Sequence, residues 1–299
     1  MKSGKLYRDY IKFAFAVTVF CITSMAAEGA FEDVELGARP LGMGSAFVAT
    51  ADDASALFWN PAGLTRVDGR ELTMSYMELY DLVSYSSVGY AHSLRVGKIG
   101  AGLVSSSDTD GVYRETTLAL SAAGKIYRGL SLGSNVKYLS SSASTGDIRI
   151  GSGRGVSLDL GCQYRIKEDL VSLGIVFQNL TGYVSYNREA VRDIPGEKYS
   201  QRPGFSYKAG AGINLGSLLP HIGKTVLAAE LSDGDIHTGL ECIFWNVTAI
   251  RAGFRTGNAL TRSITTGLGI KLAAIRLDYA YVGSQIGSQI SQFSVSVNW

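Results

Sequence analysis

Residues 156–164 read Val-Ser-Leu-Asp-Leu-Gly-Cys-Gln-Tyr, an unbroken alternation of apolar side chains with polar or small ones. The same period of two recurs in residues 207–215, 264–272 and 275–281. Successive side chains of a β-strand point to opposite faces, so each stretch predicts a strand with one apolar and one polar face. The chain is therefore predicted to be all-β.

The length of these stretches separates two kinds of β-protein. Strands of a soluble sandwich average about 5–6 residues, whereas a tilted strand needs about 10 to cross a bilayer. The alternating stretches here are nearer ten, and an even number of strands is typical of single-chain outer-membrane barrels. We predict fourteen strands, over residues 70–79, 84–95, 97–107, 114–123, 130–141, 153–165, 170–180, 203–215, 223–232, 237–246, 247–256, 263–273, 275–283 and 288–299.

Composition agrees with a transmembrane antiparallel β-barrel. Of 299 residues, 46% are hydrophobic and only 18% are charged, and 36 are glycine. The chain is too apolar for a disordered protein and low in charge for an ordinary soluble one. Its last strand places Phe293, Val295, Val297 and Trp299 on one face. This terminal pattern resembles the signal that the outer-membrane assembly machinery recognises, which makes that machinery an expected partner.

Residues 1–26 have the features of a cleavable secretory signal peptide. Four basic residues precede an apolar run, Phe13 to Ile22, and small residues follow at a cleavage point. Removing the four basic residues and one acidic residue of this segment from the totals of 28 and 26 turns the net charge of +2 into −1. Nothing in this balance indicates binding to nucleic acid. The mature protein is expected in the outer membrane of a Gram-negative-type cell.

The connections between strands give an orientation. If the N-terminus lies in the periplasm, residues 142–152 and 181–202 are long outward loops, and most connections on the other side are short. Long loops outside and short turns inside are typical of outer-membrane barrels. We therefore assign residues 70–299 to the barrel.

Residues 27–69 do not alternate and are predicted to form a separate plug. Asp52 or Asp53 is a candidate N-cap for a short helix through Trp59, which Pro61 would end. The apolar residues before Pro61 need cover from water, and the barrel lumen is the nearest cover. Lumen-facing Gly-x-Gly pairs leave room for it, since glycine in a strand often marks close backbone approach. These pairs are Gly100/Gly102, Gly210/Gly212 and Gly267/Gly269.

The run from Gly37 to Leu64 contains Gly-Met-Gly-Ser-Ala-Phe-Val-Ala, then Asp-Asp-Ala-Ser-Ala, and ends in Trp-Asn-Pro-Ala-Gly-Leu. It resembles the PorV/PorQ branch of the FadL-like outer-membrane proteins. The resemblance implies a fourteen-stranded barrel with an N-terminal hatch, whose Asn-Pro-Ala element matches this chain. The hatch or gate residues it implies are Asp52, Asp53, Asn60, Pro61 and Ala62. Fatty-acid transporters of the family are longer, and PorV-like relatives hold secreted proteins at the cell surface for type IX secretion.

Charged residues on the polar faces of the strands are expected to line the lumen. Two interpretations stay open: a self-neutralising network that holds the plug, or a selectivity lining in which four cations make one wall positive. The four cations are Arg251, Arg255, Lys271 and Arg276. The other lining residues are Lys137, Lys208, Glu115, Asp159, Glu230, Glu241 and Asp278.

The sequence offers little for catalysis. The three histidines are scattered, and neither a nucleophile elbow nor a phosphate loop is present. We therefore expect no enzyme, no cofactor and no metal site, and we expect Cys162 and Cys242 to be isolated thiols rather than a disulfide. Two functions remain. The barrel passes hydrophobic or small amphipathic solutes with the hatch as a gate, or it docks secreted proteins through the two long loops.

Overall fold

The computed structural model describes residues 31, 34–146, 148–167, 170–190, 195–217, 223–257, 262–284 and 289–299. The predicted signal peptide, residues 1–26, lies outside these residues. In the described part of the chain, no helix combines the length and the apolar character that crossing a membrane requires.

Fifteen β-strands are present in the described residues. Their bounds are β1 (Arg70–Leu79), β2 (Val83–Leu94), β3 (Gly97–Asp108), β4 (Tyr113–Tyr127), β5 (Leu130–Thr145), β6 (Ile148–Ile166), β7 (Val171–Arg188), β8 (Glu197–Gln201), β9 (Ser206–Asn214), β10 (Lys224–Ser232), β11 (Asp235–Phe244), β12 (Thr248–Arg255), β13 (Ser263–Leu272), β14 (Ile275–Ser284) and β15 (Gln289–Asn298).

The strands form a closed antiparallel barrel of fourteen, as the sequence predicts. Sequential neighbours pair, β1 pairs with β15, and β7 pairs with both β6 and β9. The additional strand, β8, pairs with the last residues of β7 and adds to the barrel at one end only. We call this the hairpin end, and the opposite end, where β1 begins and β15 finishes, the terminal end.

The alternation of the strands is realised as predicted. On β13, Thr265 is fully buried, while Ile264 and Leu268 on the opposite face of the strand are 66% and 56% exposed on the outer surface. On β6, Ser157 and Asp159 are buried and Leu160 is exposed. A continuous apolar exterior of this kind is unusual for a soluble monomer and suits contact with lipid chains. Cys162 and Cys242 are free.

The structure corrects the prediction that residues 142–152 and 181–202 are long loops. Residues 142–152 form a hairpin, because β5 runs to Thr145 and β6 begins at Ile148. In residues 181–202, β7 continues to Arg188 and β8 follows. These extensions continue past the ends of the predicted strands, and their side chains are mostly exposed or half-buried on both faces. The period of two therefore disappears from the sequence although the backbone pairing continues.

Residues 34–67, which we call the inner segment, lie inside the barrel and include most of the buried apolar core. Their helices are α1 (Ala38–Gly42), α2 (Ala56–Trp59) and a 3-10 helix (Pro61–Arg66). α1 packs against β12–β15, and the 3-10 helix packs against β3–β6. The segment therefore touches both halves of the wall.

The predicted helix through Trp59 is shorter than expected and begins differently. It starts at Ala56 with Ser55 at the N-cap position, and neither Asp52 nor Asp53 caps it. Asp53 accepts a hydrogen bond from the backbone N–H of Ser55 at 3.0 Å, which makes a turn before the helix. The aspartates instead face arginines, whose charge attracts a carboxylate more strongly than neutral backbone N–H groups do.

Candidate functional site

Asn60 is one of the points where the inner segment lies directly against the wall. Its backbone is extended (φ −149°, ψ 104°), as expected for the residue before Pro61, and it ends α2. Its Nδ2 atom donates to the carbonyl oxygens of Val48 and of Cys162 on β6, each at 3.0 Å. Its Oδ1 atom accepts from the N–H of Ala62 at 3.1 Å, which caps the 3-10 helix. One fully buried amide therefore joins two turns of the inner segment to β6.

Glycines of the wall make this close approach feasible. A Cβ atom at Gly133 on β5 would lie 2.4 Å from the backbone of Pro61 and Ala62, and one at Gly161 on β6 would lie 2.1 Å from Asn60 Oδ1. The Asn60-Pro61-Ala62 element thus rests directly on the bare backbone of two adjacent strands.

Five of the six glycines in the predicted Gly-x-Gly pairs face the inner segment in the same way, whereas Gly269 faces Arg251 and Asp278 of the wall. Gly102 faces the side chains of Leu57 and Phe58, and Gly267 faces the backbone of Gly42. Side chains at these wall positions would occupy the space that the inner segment fills.

An ion-pair network joins the inner segment to the wall. Arg39 of α1 donates from Nε and Nη2 to the two carboxylate oxygens of Glu241 on β11, each at 2.9 Å. The same guanidinium contacts Asp52, and it donates to Asp53 at 2.9 Å. Two-point pairing adds geometric specificity to the attraction of charges. Arg39 therefore holds α1, the turn before α2 and β11 in one arrangement.

The wall continues this network. Arg251 on β12 donates to Glu241 and to Asp278 on β14, both at 2.8 Å. Arg276 donates to Asp278 at 2.9 Å and to Asp53 at 2.7 Å. Cations and carboxylates alternate through the network, so each buried charge has an opposite charge beside it, as burial requires.

The carboxyl groups of the inner segment are ionised in this setting. Burial favours the neutral form of Asp53, but the charges of Arg276 and Arg39 outweigh it and lower the pKa of Asp53. Burial likewise opposes ionisation of Asp52, and Arg39, Arg66 and Lys224 lower the pKa of Asp52 far below its ordinary value. Both aspartates are therefore charged at neutral pH and attract the arginines of the wall.

A second cluster holds the middle of the inner segment. Glu230 on β10 accepts two hydrogen bonds in one carboxylate oxygen, from the backbone N–H groups of Phe47 and Val48 at 2.9 and 2.8 Å. Lys208 on β9 places its ammonium 4.9 Å from the centre of the Trp59 ring, a cation–π contact.

The beginning of the inner segment is held by another residue of the wall. Arg255 on β12 donates to Glu35. Together with the Glu230 and Lys208 contacts, this pairing distributes the attachment over three neighbouring parts of the wall, β9, β10 and β12.

A third cluster lies where β6 and β7 change register. Lys137 forms an ion pair with Asp159 at 2.9 Å. Asp159 also accepts from the backbone N–H of Asn179 at 2.8 Å and from the amide of Asn135 at 3.0 Å. Asn179 has a positive φ of 52°, and the pairing of β6 with β7 is interrupted beside it. The amide of Asn135 also donates to the carbonyl of Leu57 at 2.8 Å, which ties α2 to this part of the wall.

Most of the predicted lining residues face the lumen, but the wall is not cationic. Arg251, Arg255 and Arg276 each contact a carboxylate. Lys271 shares their register but is exposed at the terminal end. The arrangement is that of the mixed-charge network rather than the selectivity lining, since neighbouring carboxylates offset the arginines. The prediction treated the wall alone and missed Glu35 and Arg39, because their position inside the barrel cannot be read from strand register.

A small cavity separates the inner segment from β2–β6. Its volume is about 50 Å³. Its apolar lining includes Leu36, Leu57, Phe58 and Leu139, and polar groups of the third cluster border it. A dry cavity that holds benzene has about 150 Å³, so this one is too small for an aromatic ring.

The fold and the lumen define the class of protein: a fourteen-stranded antiparallel barrel whose N-terminal segment fills its interior. Neither a protein-family profile nor a curated protein sequence matches the chain. Solved structures do match at low sequence identity, and three examples illustrate the shared fold.

The CymD monoaromatic hydrocarbon channel superposes with a TM-score of 0.62 at 16% identity, covering 90% of this chain and 99% of its own. The toluene transporter TbuX of Ralstonia pickettii superposes with a TM-score of 0.60 at 14% identity, covering 90% of this chain and 100% of its own. A FadL homologue of Pseudomonas aeruginosa superposes with a TM-score of 0.61 at 13% identity, covering 88% of this chain and 98% of its own. The barrel is thus FadL-like in fold and resembles outer-membrane channels, while the finer resemblance to the PorV/PorQ branch stays a prediction.

Proposed function

We propose that this protein is an outer-membrane channel for small hydrophobic or amphipathic solutes and that the inner segment is its gate. The observation that carries the proposal is the cavity whose apolar lining comes from Leu57 and Phe58 of the inner segment and Leu139 of the wall. The similarity in fold to a monoaromatic hydrocarbon channel and a toluene transporter, over nearly their whole lengths, supports the same conclusion.

The size of the cavity implies that the gate moves. At about 50 Å³ it holds less than an aromatic ring needs, about 150 Å³. Passage therefore requires α2 to withdraw from β3. The contacts that resist withdrawal are apolar packing, hydrogen bonds and ion pairs, all of which are reversible.

Asn60 is the natural hinge for this motion. It is the extended residue between α2 and the 3-10 helix. Beyond it the chain is fixed, because Thr65 Oγ1 donates to Ser131 Oγ on β5 at 2.9 Å and β1 begins at Arg70. Rotation at Asn60 would move α2 while the 3-10 helix stays in place.

A disulfide between α2 and β3 tests the gate. A Cβ atom at Gly102 would lie 2.3 Å from Leu57 Cδ1, so the variant Leu57→Cys with Gly102→Cys brings two thiols together. The background carries Cys162→Ser and Cys242→Ser. We expect oxidised cells to lose uptake of radiolabelled toluene, and we expect a reductant to restore it.

The matched control is a second cross-link between the same segment and the wall. Thr65→Cys with Ser131→Cys replaces two hydroxyls that are already in contact, on the fixed side of Asn60. Uptake should survive its oxidation. Equal uptake by the oxidised and reduced forms of the α2 cross-link would show that α2 does not gate the barrel. No uptake of toluene or of any other apolar solute by the reduced form would refute the channel itself.

A further inference from the structure

The outer surface at the hairpin end changes abruptly from apolar to cationic. Tyr138, Val156 and Tyr183 lie side by side on β5, β6 and β7, and all three are exposed on the outer face. Two residues further along β6, Arg154 faces the same way and pairs with Ser185 on β7. At about 3.3 Å per residue, Arg154 lies about 7 Å beyond the apolar band.

Further cations occupy the next row of the sheet. Lys198 on β8 pairs with Asn187 on β7, which pairs with Ser152 on β6. In the same row, Arg114 on β4 pairs with Ser142 on β5. These cations are exposed.

Carboxylates near this row have their own partners. Glu197 accepts from Arg188 at 2.9 Å, and Glu189 lies 3.9 Å from Arg149. Within the described part of the extension, Arg154 and Lys198 therefore add positive charge that these two carboxylates do not offset.

A groove of about 400 Å³ connects these groups. Arg149, Arg154 and Lys198 line it together with Ser152, Ser185, Tyr186, Asn187 and Glu189, whose carboxylate lies 3.9 Å from Arg149. Hydroxyl, amide, ammonium and guanidinium groups all donate hydrogen bonds, and the guanidinium fork matches a phosphate in two-point geometry. The groove therefore has the chemistry of a phosphate site.

We propose that this groove binds the phosphate groups of outer-leaflet lipid. The hairpin end carries the longest strand extensions, and in single-chain outer-membrane barrels the long connections face outward. Its position just beyond the apolar band is where lipid headgroups lie. A lipid is favoured over a free anion, because Val156 and Tyr183 directly below the groove would contact the acyl chains of the same molecule. The inference is independent of solute transport.

Titration of lipid A carrying both phosphates, followed by native mass spectrometry of the detergent-solubilised protein, tests the site. Each cation near an anionic surface contributes about a factor of five in affinity, so Arg154→Gln with Lys198→Gln should weaken binding about 30-fold. The charge-preserving variant Arg154→Lys with Lys198→Arg should retain most of the affinity for lipid A. Arg95→Gln with Arg128→Gln, which removes two exposed cations at the terminal end, should bind as the native protein does.

Three results would overturn the proposal. One is unchanged binding by the Arg154→Gln, Lys198→Gln variant. Another is equal weakening by the Arg95→Gln, Arg128→Gln variant, which would mean that net charge alone attracts the lipid. The third is complete displacement of lipid A by an excess of inorganic phosphate, which would identify the groove as a site for the free anion. Heat-modifiable migration of each variant on a gel verifies that it is folded.

Discussion

Arg39 and Glu241 are joined by two parallel hydrogen bonds of 2.9 Å although 202 residues separate them in the chain. One belongs to the inner segment and the other to β11, and both are buried. This pair is a two-point electrostatic connection between the proposed gate and the wall.

Glu241→Gln is expected to loosen the gate. It keeps the volume of the side chain but leaves Arg39 and Arg251 without a shared anion. Removing one partner of a buried ion pair costs about 3–5 kcal/mol. Single-channel recordings in planar bilayers should show more frequent openings than for the native protein.

The matched control for this substitution is Glu197→Gln on β8. It breaks an ion pair of the same 2.9 Å length whose partners are about half exposed. Exposed pairs contribute about 0–1 kcal/mol, so openings should be as rare as in the native protein. An identical response of both variants would show that the Arg39–Glu241 pair does not hold the gate.

Acid is expected to release the inner segment only at low pH. The pKa values of Asp52, Asp53 and Glu35 are all lowered in the folded protein. A lowered carboxyl pKa stabilises the folded arrangement above the unfolded pKa, about 4, and this contribution is lost as pH falls through the folded pKa. If these three carboxyl groups hold the segment, conductance should rise only as pH falls below about 4. A rise between neutral pH and 5 would mean that other groups control the gate.

Gly133→Ala should displace the Asn60-Pro61-Ala62 element. Its new Cβ would lie 2.4 Å from backbone atoms of the inner segment, which cannot turn aside as a flexible side chain can. Overpacking of this kind costs about 1–3 kcal/mol. We expect a lower thermal midpoint and a larger conductance. Gly124→Ala on the adjacent strand, where nothing lies within 4 Å, is the control and should leave both unchanged.

Leu268→Arg should destabilise the folded barrel in the membrane because it puts a charge on the lipid-facing surface. The side chain is 56% exposed on the outer face of β13. Arginine near the bilayer midplane costs about 2–4 kcal/mol, and near the interface about 0–1 kcal/mol. Trp245→Arg, in the turn at the terminal end where the side chain is 88% exposed, supplies the interfacial control. Refolding into vesicles measures the free-energy cost of each of the two substitutions. Equal costs for Leu268→Arg and Trp245→Arg would contradict the predicted membrane depth.

The barrel could be predicted from sequence because its signal is local. Alternation along β6 and β13 reports directly which residues face lipid, and the pattern needs no knowledge of strand neighbours. The same reasoning correctly placed glycines such as Gly102 on the lumen face. It failed for residues 142–152 and 181–202, where most side chains on both faces are exposed or half-buried and the contrast between faces is weak.

The positions of the lining residues were partly predictable for the same reason. Strand register identified Glu241 and Arg251 as inward-facing, and the Asn-Pro sequence identified Asn60 as the end of α2. Register could not reveal that Lys271 reaches the exposed end of its strand. Nor could it show that Asp53 pairs with Arg276 rather than capping a helix, because that partner comes from a distant strand.

The sequence by itself determined the strands, their inward and outward faces and the break at Pro61, since each follows from neighbouring residues and backbone geometry. Only the tertiary structure decided which charges meet. Closing β1 against β15 fixes the stagger of all strands, and the stagger sets the height at which Glu241, Arg251 and Asp278 face the lumen. The inner segment then places Arg39 at that height. Pairing at 2.9 Å is a property of the closed barrel with its segment inside, and alternation along one strand contains no information about it.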